Sequence, residues 1–289
     1  MLWKQIVPNT TIMYSKILCI LILISCTINI AAQSNKESVK VNCELSGSFN
    51  QLSINGDVTV YLLQGDEQSV LIHGKKSMVK QVKTSIDNKV LYISKDYSIN
   101  SERINIYITV TDIESIQTRG NVIIETPTNI WLSKLSLSLG DDTDVKLFVN
   151  SNDFNIDVKG SGNLELSGYI DTLRITSSGE SEIFGDIKTV KLSCNTTGYS
   201  SVTLEGIIFK SYISSNNESS VDLNNCEVGM SSIFAFDQAT VKTTSIDVTD
   251  IYAFDQAVIH YKSNNQAFVL TKSNKNSIKK DLIRSTASK

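Results

Sequence analysis

One repeat constrains this chain more than any other feature of its sequence. Between residues 135 and 261 an apolar anchor returns at steps of 18–20 residues, most often 19. The anchors are Val145, Leu164, Ile183, Val202, Val221, Val241 and Ile259. A second apolar column, eight positions before each anchor, contains Leu137, Ile156, Ile175, Cys194, Ile213, Ile233 and Ile251. A period of this length is typical of a solenoid in which each repeat forms one coil.

Two further columns predict a bend inside each coil. Four positions before the anchors stand residue types that tolerate left-handed backbone, namely Asp141, Gly160, Gly179, Gly198, Asn217, Asp237 and Asp255. Two positions before the anchors every residue is small. The apolar residues alternate with polar ones, which is the period of a strand and not of a helix. One coil cannot cover its own apolar face, so we expect the coils to stack as parallel β-strands.

The remainder of the chain predicts a cap on this solenoid. Residues 49–118 contain alternating apolar runs broken by turn signals, which predicts an N-terminal β-sheet subdomain with one short helix near residues 76–82. Such a cap would cover the open strand edges of the first coil. Residues 119–262 form the predicted solenoid, and residues 263–289 a basic polar tail. The predicted fold is therefore all-β, with a β-sheet cap followed by a parallel β-helix-like solenoid of about 19 residues per coil.

The N-terminus predicts export from the cytoplasm. Residues 1–32 are interpreted as a signal peptide, because a nearly continuous apolar run from 17 to 30 follows Lys16 and ends at Ala31-Ala32. Residues 33–48 form a polar linker. We expect the protein in the periplasm, at the outer-membrane surface or outside the cell, without a mature transmembrane segment, because no later apolar run approaches about 20 residues.

Two alternatives at the N-terminus remain open. The segment LISC, which ends at Cys26, resembles a lipid-attachment site, so that a lipid anchor on Cys26 is an alternative to a freely exported protein. Met13 also precedes a short charged segment and is an alternative start to Met1.

Charge, histidines and cysteines exclude several functions. With 27 Lys and Arg against 30 Asp and Glu, and no basic stripe, nucleic acid is not an expected partner. His73 and His260 alone supply little material for a catalytic triad or a zinc site. Cys43, Cys194 and Cys226 match neither a zinc motif nor a disulfide framework. Cys194 stands in an apolar column and is predicted to be a small buried side chain.

Two sets of residues are candidates for binding. Asp141, Asp142 and Asp144 form an acidic turn whose carboxylates can supply oxygen ligands to Ca²⁺, although a solvated turn is the simpler interpretation. No other cofactor is expected. The candidate ligand-binding residues lie in two Phe-Asp-Gln-Ala turns and are Phe236, Asp237, Gln238, Phe254, Asp255 and Gln256. An aromatic ring beside amide groups suits a sugar, and the alternative is that both Phe side chains pack the last coils.

Several motifs resemble one known family. They are residues 49–58 (FNQLSINGDV), 63–70 (LQGDEQSV), 160–162 (GSG) and 178–181 (SGES). From about residue 49 to 261 the chain resembles the auto-transporter adhesin head GIN domain family, which consists of exported proteins of Bacteroidetes-type bacteria. The resemblance implies a right-handed β-helical solenoid, and an adhesin-like role by analogy.

These observations predict a non-catalytic exported protein of the cell envelope, which acts as an adhesin-like scaffold that binds a surface glycan or protein. No catalytic residue is predicted. One alternative is a carbohydrate-active lyase or hydrolase on the same β-helix, which would use the carboxylates of Asp237 and Asp255 one coil apart. A second alternative is a structural envelope component that self-associates end to end as a homo-oligomer.

Overall fold

The computed structural model describes residues 38–96, 103–263, 268–271 and 278–280. The described strands form one continuous hydrogen-bonded sheet, which winds into a solenoid of about 8 turns with coils of about 19 residues. The predicted all-β solenoid is therefore confirmed. The predicted signal peptide, the candidate lipid-attachment residue Cys26 and both candidate start residues lie outside the described residues.

The N-terminal part contains nine strands and one short helix. They are β1 (Ser38–Asn42), β2 (Gln51–Gly56), β3 (Val58–Gln64), β4 (Ser69–Lys75), α1 (Lys76–Val79), β5 (Lys83–Asp87), β6 (Val90–Lys95), β7 (Ile104–Val110), β8 (Ser115–Arg119) and β9 (Val122–Glu125). The predicted short helix is present and is shorter than the sequence indicates, because it ends at Val79.

The first coils are not stacked in chain order. Strand β2 lies between β6 and β8, and β3 lies between β7 and β9, with every one of these pairs parallel. The coil β2–β3 is therefore enclosed between β6–β7 and β8–β9. Outside it, β4 runs antiparallel to β7, β1 antiparallel to β4, and β5 antiparallel to β6. These antiparallel strands cover parallel edges that would otherwise be open.

The later coils follow chain order. Their strands are β10 (Ile130–Leu139), β11 (Asp144–Gly160), β12 (Asn163–Gly179), β13 (Glu182–Thr196), β14 (Ser201–Ser215), β15 (Ser220–Ala235), β16 (Thr240–Ala253), β17 (Val258–Ser263), β18 (Phe268–Thr271) and β19 (Ile278–Lys280). β8 pairs with both β2 and β10, so hydrogen bonding continues across residue 118, and the domain boundary drawn there remains a prediction. Part of the predicted tail, 263–289, forms β18 and β19, which pair with β16 and β17.

The columns read from the sequence form the core and the bends. Every residue of the two apolar columns is at most 4 % exposed. Every residue of the turn column has a positive φ, between +55° and +89°. The small column explains how three of the seven bends close, because the hydroxyls of Thr143, Ser200 and Ser219 donate to the carbonyl three residues before, at 2.7–2.9 Å. In the last two bends Ala239 and Ala257 donate the equivalent bond from their backbone N–H, at 3.1 Å.

The two buried cysteines belong to this core. Cys194 has no exposed surface, as its column predicts, and Cys226 is 4 % exposed with its Sγ donating to the carbonyl of Leu204 at 3.1 Å. Burial raises the pKa of both thiols to about 12, and for Cys226 the neighbouring carboxylates, Glu205 first, add to the effect. Cys43 is half-buried, and all three cysteines are free thiols.

We expect thiol labelling to separate these cysteines in the native protein. At pH 8 a pKa of about 12 leaves about one thiol in 10,000 as the reactive thiolate. Iodoacetamide should therefore modify Cys43 while Cys194 and Cys226 stay unmodified, as read by peptide mass spectrometry. Urea should expose all three to the reagent. Rapid native labelling of Cys194 would contradict its placement in the core.

Candidate functional site

The last coils bring the six predicted ligand-binding residues together. The rings of Phe236 and Phe254 stack with their centroids 4.9 Å apart and their planes 3° from parallel. The backbone N–H of Gln256 donates to the carbonyl of Asp237 at 2.8 Å, which places the second turn directly on the first. Both Phe side chains are half-buried, and the Asp and Gln residues are exposed.

This stacking limits what the two Phe rings can bind. Each ring covers one face of the other, whereas a sugar packs best on a free aromatic face. The carboxylate of Asp237 accepts the backbone N–H of Asn217 at 3.3 Å, so it also helps to hold the neighbouring turn. The two rings therefore pack on each other, and only the surface that both half-buried side chains leave exposed is open to a ligand. Ligand binding by these six residues remains a prediction.

A second aromatic column beside the first was not predicted from the sequence. The ring of Phe234 lies between those of Tyr212 and Tyr252, with centroids 5.2 Å and 4.7 Å away. Phe234 and Tyr252 each follow a residue of the second apolar column, and this shared position is the signal that was available. Tyr212, Phe234, Phe236, Tyr252 and Phe254 together form the aromatic patch of the last coils.

The acidic turn does not assemble a metal site. Asp141 Oδ2 accepts the backbone N–H of Gly120 at 3.0 Å, and Asp144 Oδ1 accepts the side-chain amide of Asn163 at 2.9 Å. Asp142 Oδ1 accepts a hydrogen bond from the hydroxyl of Ser161, in the neighbouring coil, at 2.5 Å. The three carboxylates thus bond to different partners, and the described residues contain no group of three or more His, Cys, Asp or Glu arranged to hold a metal ion. These residues do not fit Ca²⁺ coordination.

An acidic groove lies on another face of the solenoid, where the sequence predicted no site. Gly185 stands between Leu166 and Leu204 in a core column, and all three residues line a cavity of about 290 Å³. Asp186 and Glu205 are adjacent in register along it. Its lining contains no Lys, Arg or His. A lyase would need such a base near the sugar, so the groove does not supply the predicted catalytic alternative.

The two histidines lie at opposite ends of the fold. His73 is on β4 in the cap, where its Nε2 lies 3.0 Å from the hydroxyl of Ser38, and His260 is on β17 in the last coils. They cannot act as a pair. In the part of the chain that the structure describes, no helix has the length and apolar character needed to cross a bilayer.

The comparisons with known proteins concern the same solenoid. Residues 48–186 match the family model described as "Putative auto-transporter adhesin, head GIN domain". This match confirms the predicted family resemblance. It ends within β13, so the last coils extend beyond the head GIN domain match and continue its repeat. No protein of curated function matches the chain by sequence.

Solved structures share the fold of this chain. A putative adhesin from Parabacteroides merdae aligns with a TM-score of 0.63 at 14% identity, covering 86% of this chain and 98% of its own. A putative lipid binding protein from Parabacteroides distasonis aligns with a TM-score of 0.62 at 12% identity over the same shares. A putative adhesin from Parabacteroides distasonis has a TM-score of 0.60 at 15% identity, again over the same shares. At these identities the likeness shows the fold alone.

Proposed function

We propose that this protein is a non-catalytic protein exported to the cell envelope, where its solenoid binds a surface glycan or protein as an adhesin does. The observation that carries the proposal is the aromatic patch of the last coils, which brings five aromatic rings close together on the outer surface of a regular sheet. Aromatic side chains contribute large contact areas at low cost in side-chain entropy and are enriched at binding interfaces.

Three further observations support the proposal. The stacked parallel coils give a rigid face on which side chains repeat at the inter-strand spacing of about 4.8 Å, which suits a partner that is itself repetitive or extended. The match to an adhesin head domain family fits an exported protein. The predicted signal peptide at residues 1–32 supports the same location.

Binding assays with the exported protein test this function. The protein is applied to an array of neutral and acidic oligosaccharides and to immobilised extracellular-matrix proteins, beside a double variant, Phe236→Ser with Phe254→Ser. We expect saturable binding that the double variant weakens at least about tenfold, since hot-spot aromatics cost about 2 kcal/mol or more when truncated. The matched control is Tyr199→Ser, a 65 % exposed aromatic outside the patch.

Two readouts of the same preparation address the alternatives. Depolymerisation of any array polysaccharide, with Ca²⁺ present, would contradict a non-catalytic role and favour a carbohydrate-active enzyme. Concentration-dependent sedimentation without binding to any probe would favour the self-associating structural component. Binding that is identical in the double variant would exclude the aromatic patch as the binding surface.

A further inference from the structure

Trp131 and Tyr169 are two exposed aromatic side chains that, unlike those of the aromatic patch, do not stack on other aromatic rings in the part of the chain that the structure describes. Trp131, on β10, is 67 % exposed, and Tyr169, on β12, is 49 % exposed. Neither ring stacks on another aromatic ring of the described residues, in contrast to the pairs at the last coils. About half or more of each side chain is thus open to a ligand, and a sugar ring binds to an exposed aromatic surface.

The coil register places these two residues one coil before and one coil after Asn150, whose side chain is shorter and forms part of the cleft lining between them. Trp131 is in register with Asn150, and the register of Ser151 with Ile170 places Tyr169 on the other side of Asn150. Two inter-strand steps of about 4.8 Å separate Trp131 from Tyr169 by about 9.5 Å along the stack. Heavy-atom contacts of about 4.0–4.5 Å on each side of an inserted ring need about 8–9 Å. The spacing fits one flat six-membered ring.

Hydrogen bonds fix the backbone on both sides of the cleft. The side-chain amide of Gln64 accepts the N–H of Trp131 at 2.9 Å and donates to its carbonyl at 2.8 Å. The amide oxygen of Asn150 accepts the N–H of Tyr169 at 2.8 Å. Gly168 has a φ of +140°, and a Cβ there would lie 2.0 Å from the carbonyl oxygen of Val149. The cleft is thus held in place before any ligand arrives, which reduces the entropic cost of binding.

The lining of the cleft selects an uncharged ligand with many hydroxyl groups. Its volume is about 310 Å³, at the lower end of the range of about 300–1,000 Å³ for small-molecule sites, so it holds one or two sugar units. The cleft is also lined by Ser133, Asn150, Ser151 and Asn152, and no lining residue is charged. These groups donate and accept hydrogen bonds with sugar hydroxyls. The Asp171 carboxylate, to which the Tyr169 hydroxyl is hydrogen-bonded, disfavours a ligand carboxylate or phosphate here.

We propose that the cleft between Trp131 and Tyr169 binds a neutral pyranose unit of a glycan, with the sugar ring between the two aromatic faces. The proposal rests on the proposed function in that it names a ligand class for the scaffold. It also adds a site on a different part of the solenoid, several coils from the aromatic patch.

The sequence provides a direct optical probe of this cleft. The chain has two tryptophans, Trp3 in the predicted signal peptide and Trp131. In the exported protein Trp131 is therefore the single tryptophan, and its emission reports on the cleft alone. We expect titration with cellotetraose, mannotetraose or galactotetraose to shift this emission to shorter wavelength in a saturable way for at least one of the three. Tetragalacturonate, which is charged, should not shift it.

Variants distinguish this site from the aromatic patch. Tyr169→Ala should weaken the tetrasaccharide affinity at least about tenfold, and Trp131→Ala should remove binding in calorimetry. Phe209→Ala is the matched control, because Phe209 is also 67 % exposed and lies outside the cleft, and it should bind as the unmodified protein does. Circular dichroism checks that all three variants fold.

The negative outcomes distinguish failure of the cleft from failure of the proposed function. No emission shift with any neutral tetrasaccharide up to about 10 mM, or unchanged binding by Tyr169→Ala, overturns the cleft. If glycan binding on the array is then lost only in the Phe236→Ser with Phe254→Ser variant, the proposed function stands without this site. If the array is also negative for every probe, the proposed function fails with it.

Discussion

Replacement of Phe154 by alanine is expected to lower the free energy of unfolding by about 3–5 kcal/mol, the usual range for truncating a buried Phe. Phe154 is fully buried on β11, in register with Leu135 on one side and Leu173 on the other, and both of these are also fully buried. Hydrogen-bonded coils above and below hold the neighbouring strands at their spacing, so the cavity left by the ring cannot readily collapse.

The same strand offers a matched control for this prediction. Phe148 also lies on β11 and is 39 % exposed, so Phe148→Ala should cost about 1 kcal/mol or less. Equilibrium unfolding in urea, followed by far-UV circular dichroism, compares the two variants with the unmodified protein. Equal destabilisation by both substitutions would show that the ring of Phe154 does not pack in the coil interior.

Substitution of Asp57 by alanine is expected to destabilise the protein by a similar amount, about 3–5 kcal/mol, because it breaks a buried ion pair from one side. Asp57 lies between β2 and β3 and is 6 % exposed, and Lys95 at the end of β6 is 2 % exposed. The ammonium of Lys95 lies 3.8 Å from Asp57 Oδ2 and donates to the Asp57 carbonyl at 3.2 Å. The guanidinium Nε of Arg103 lies 3.4 Å from Asp57 Oδ1. Without this carboxylate, the buried ammonium of Lys95 and the partly exposed guanidinium of Arg103 remain at the site.

A double variant separates the charge effect from lost packing. Asp57→Leu combined with Lys95→Met removes the buried carboxylate and ammonium together, and buried pairs replaced by apolar side chains of similar volume often lose little stability. We expect the double variant to recover most of the loss in urea unfolding. If it is at least as unstable as Asp57→Ala, packing at the β2–β3 corner and not the unbalanced charge is responsible.

The solenoid part of the fold could be predicted from the sequence because a single repeat length determines it. A step of 19 residues places Val145, Leu164 and Ile183 in one column and fixes the bends four residues before them. The residues at those bends, including Asp237 and Asp255, then need a left-handed backbone, which the structure shows. Trp131, Asn150 and Tyr169 are also separated by steps of 19 residues. The sequence alone could therefore have predicted that Trp131 and Tyr169 lie in one column, on either side of Asn150.

The features that the sequence could not predict depend on contacts between residues that the 19-residue repeat does not relate. The alternation of residues in β2, β6 and β8 indicates strands and does not indicate which strand lies between the other two. The acidic turn is close in sequence, yet Asp141 bonds to the coil before it while Asp142 and Asp144 bond to the coil after it. Proximity along the chain therefore suggested a cation site that the side-chain directions do not form. Tyr212 is in register with Ser232, yet its ring contacts Phe234, two residues further along the strand. The sequence period therefore did not predict this contact.

The enclosed position of β2–β3 also determines the order in which the protein can fold. One flank of this coil is β6–β7, which ends at Val110, and the other is β8–β9, which ends at Glu125. A chain that emerges N-terminus first on the far side of a membrane therefore cannot complete its first coil until about residue 125 has crossed. From there each new coil can add to a finished template, so growth of the solenoid is sequential and one slow long-range step precedes it.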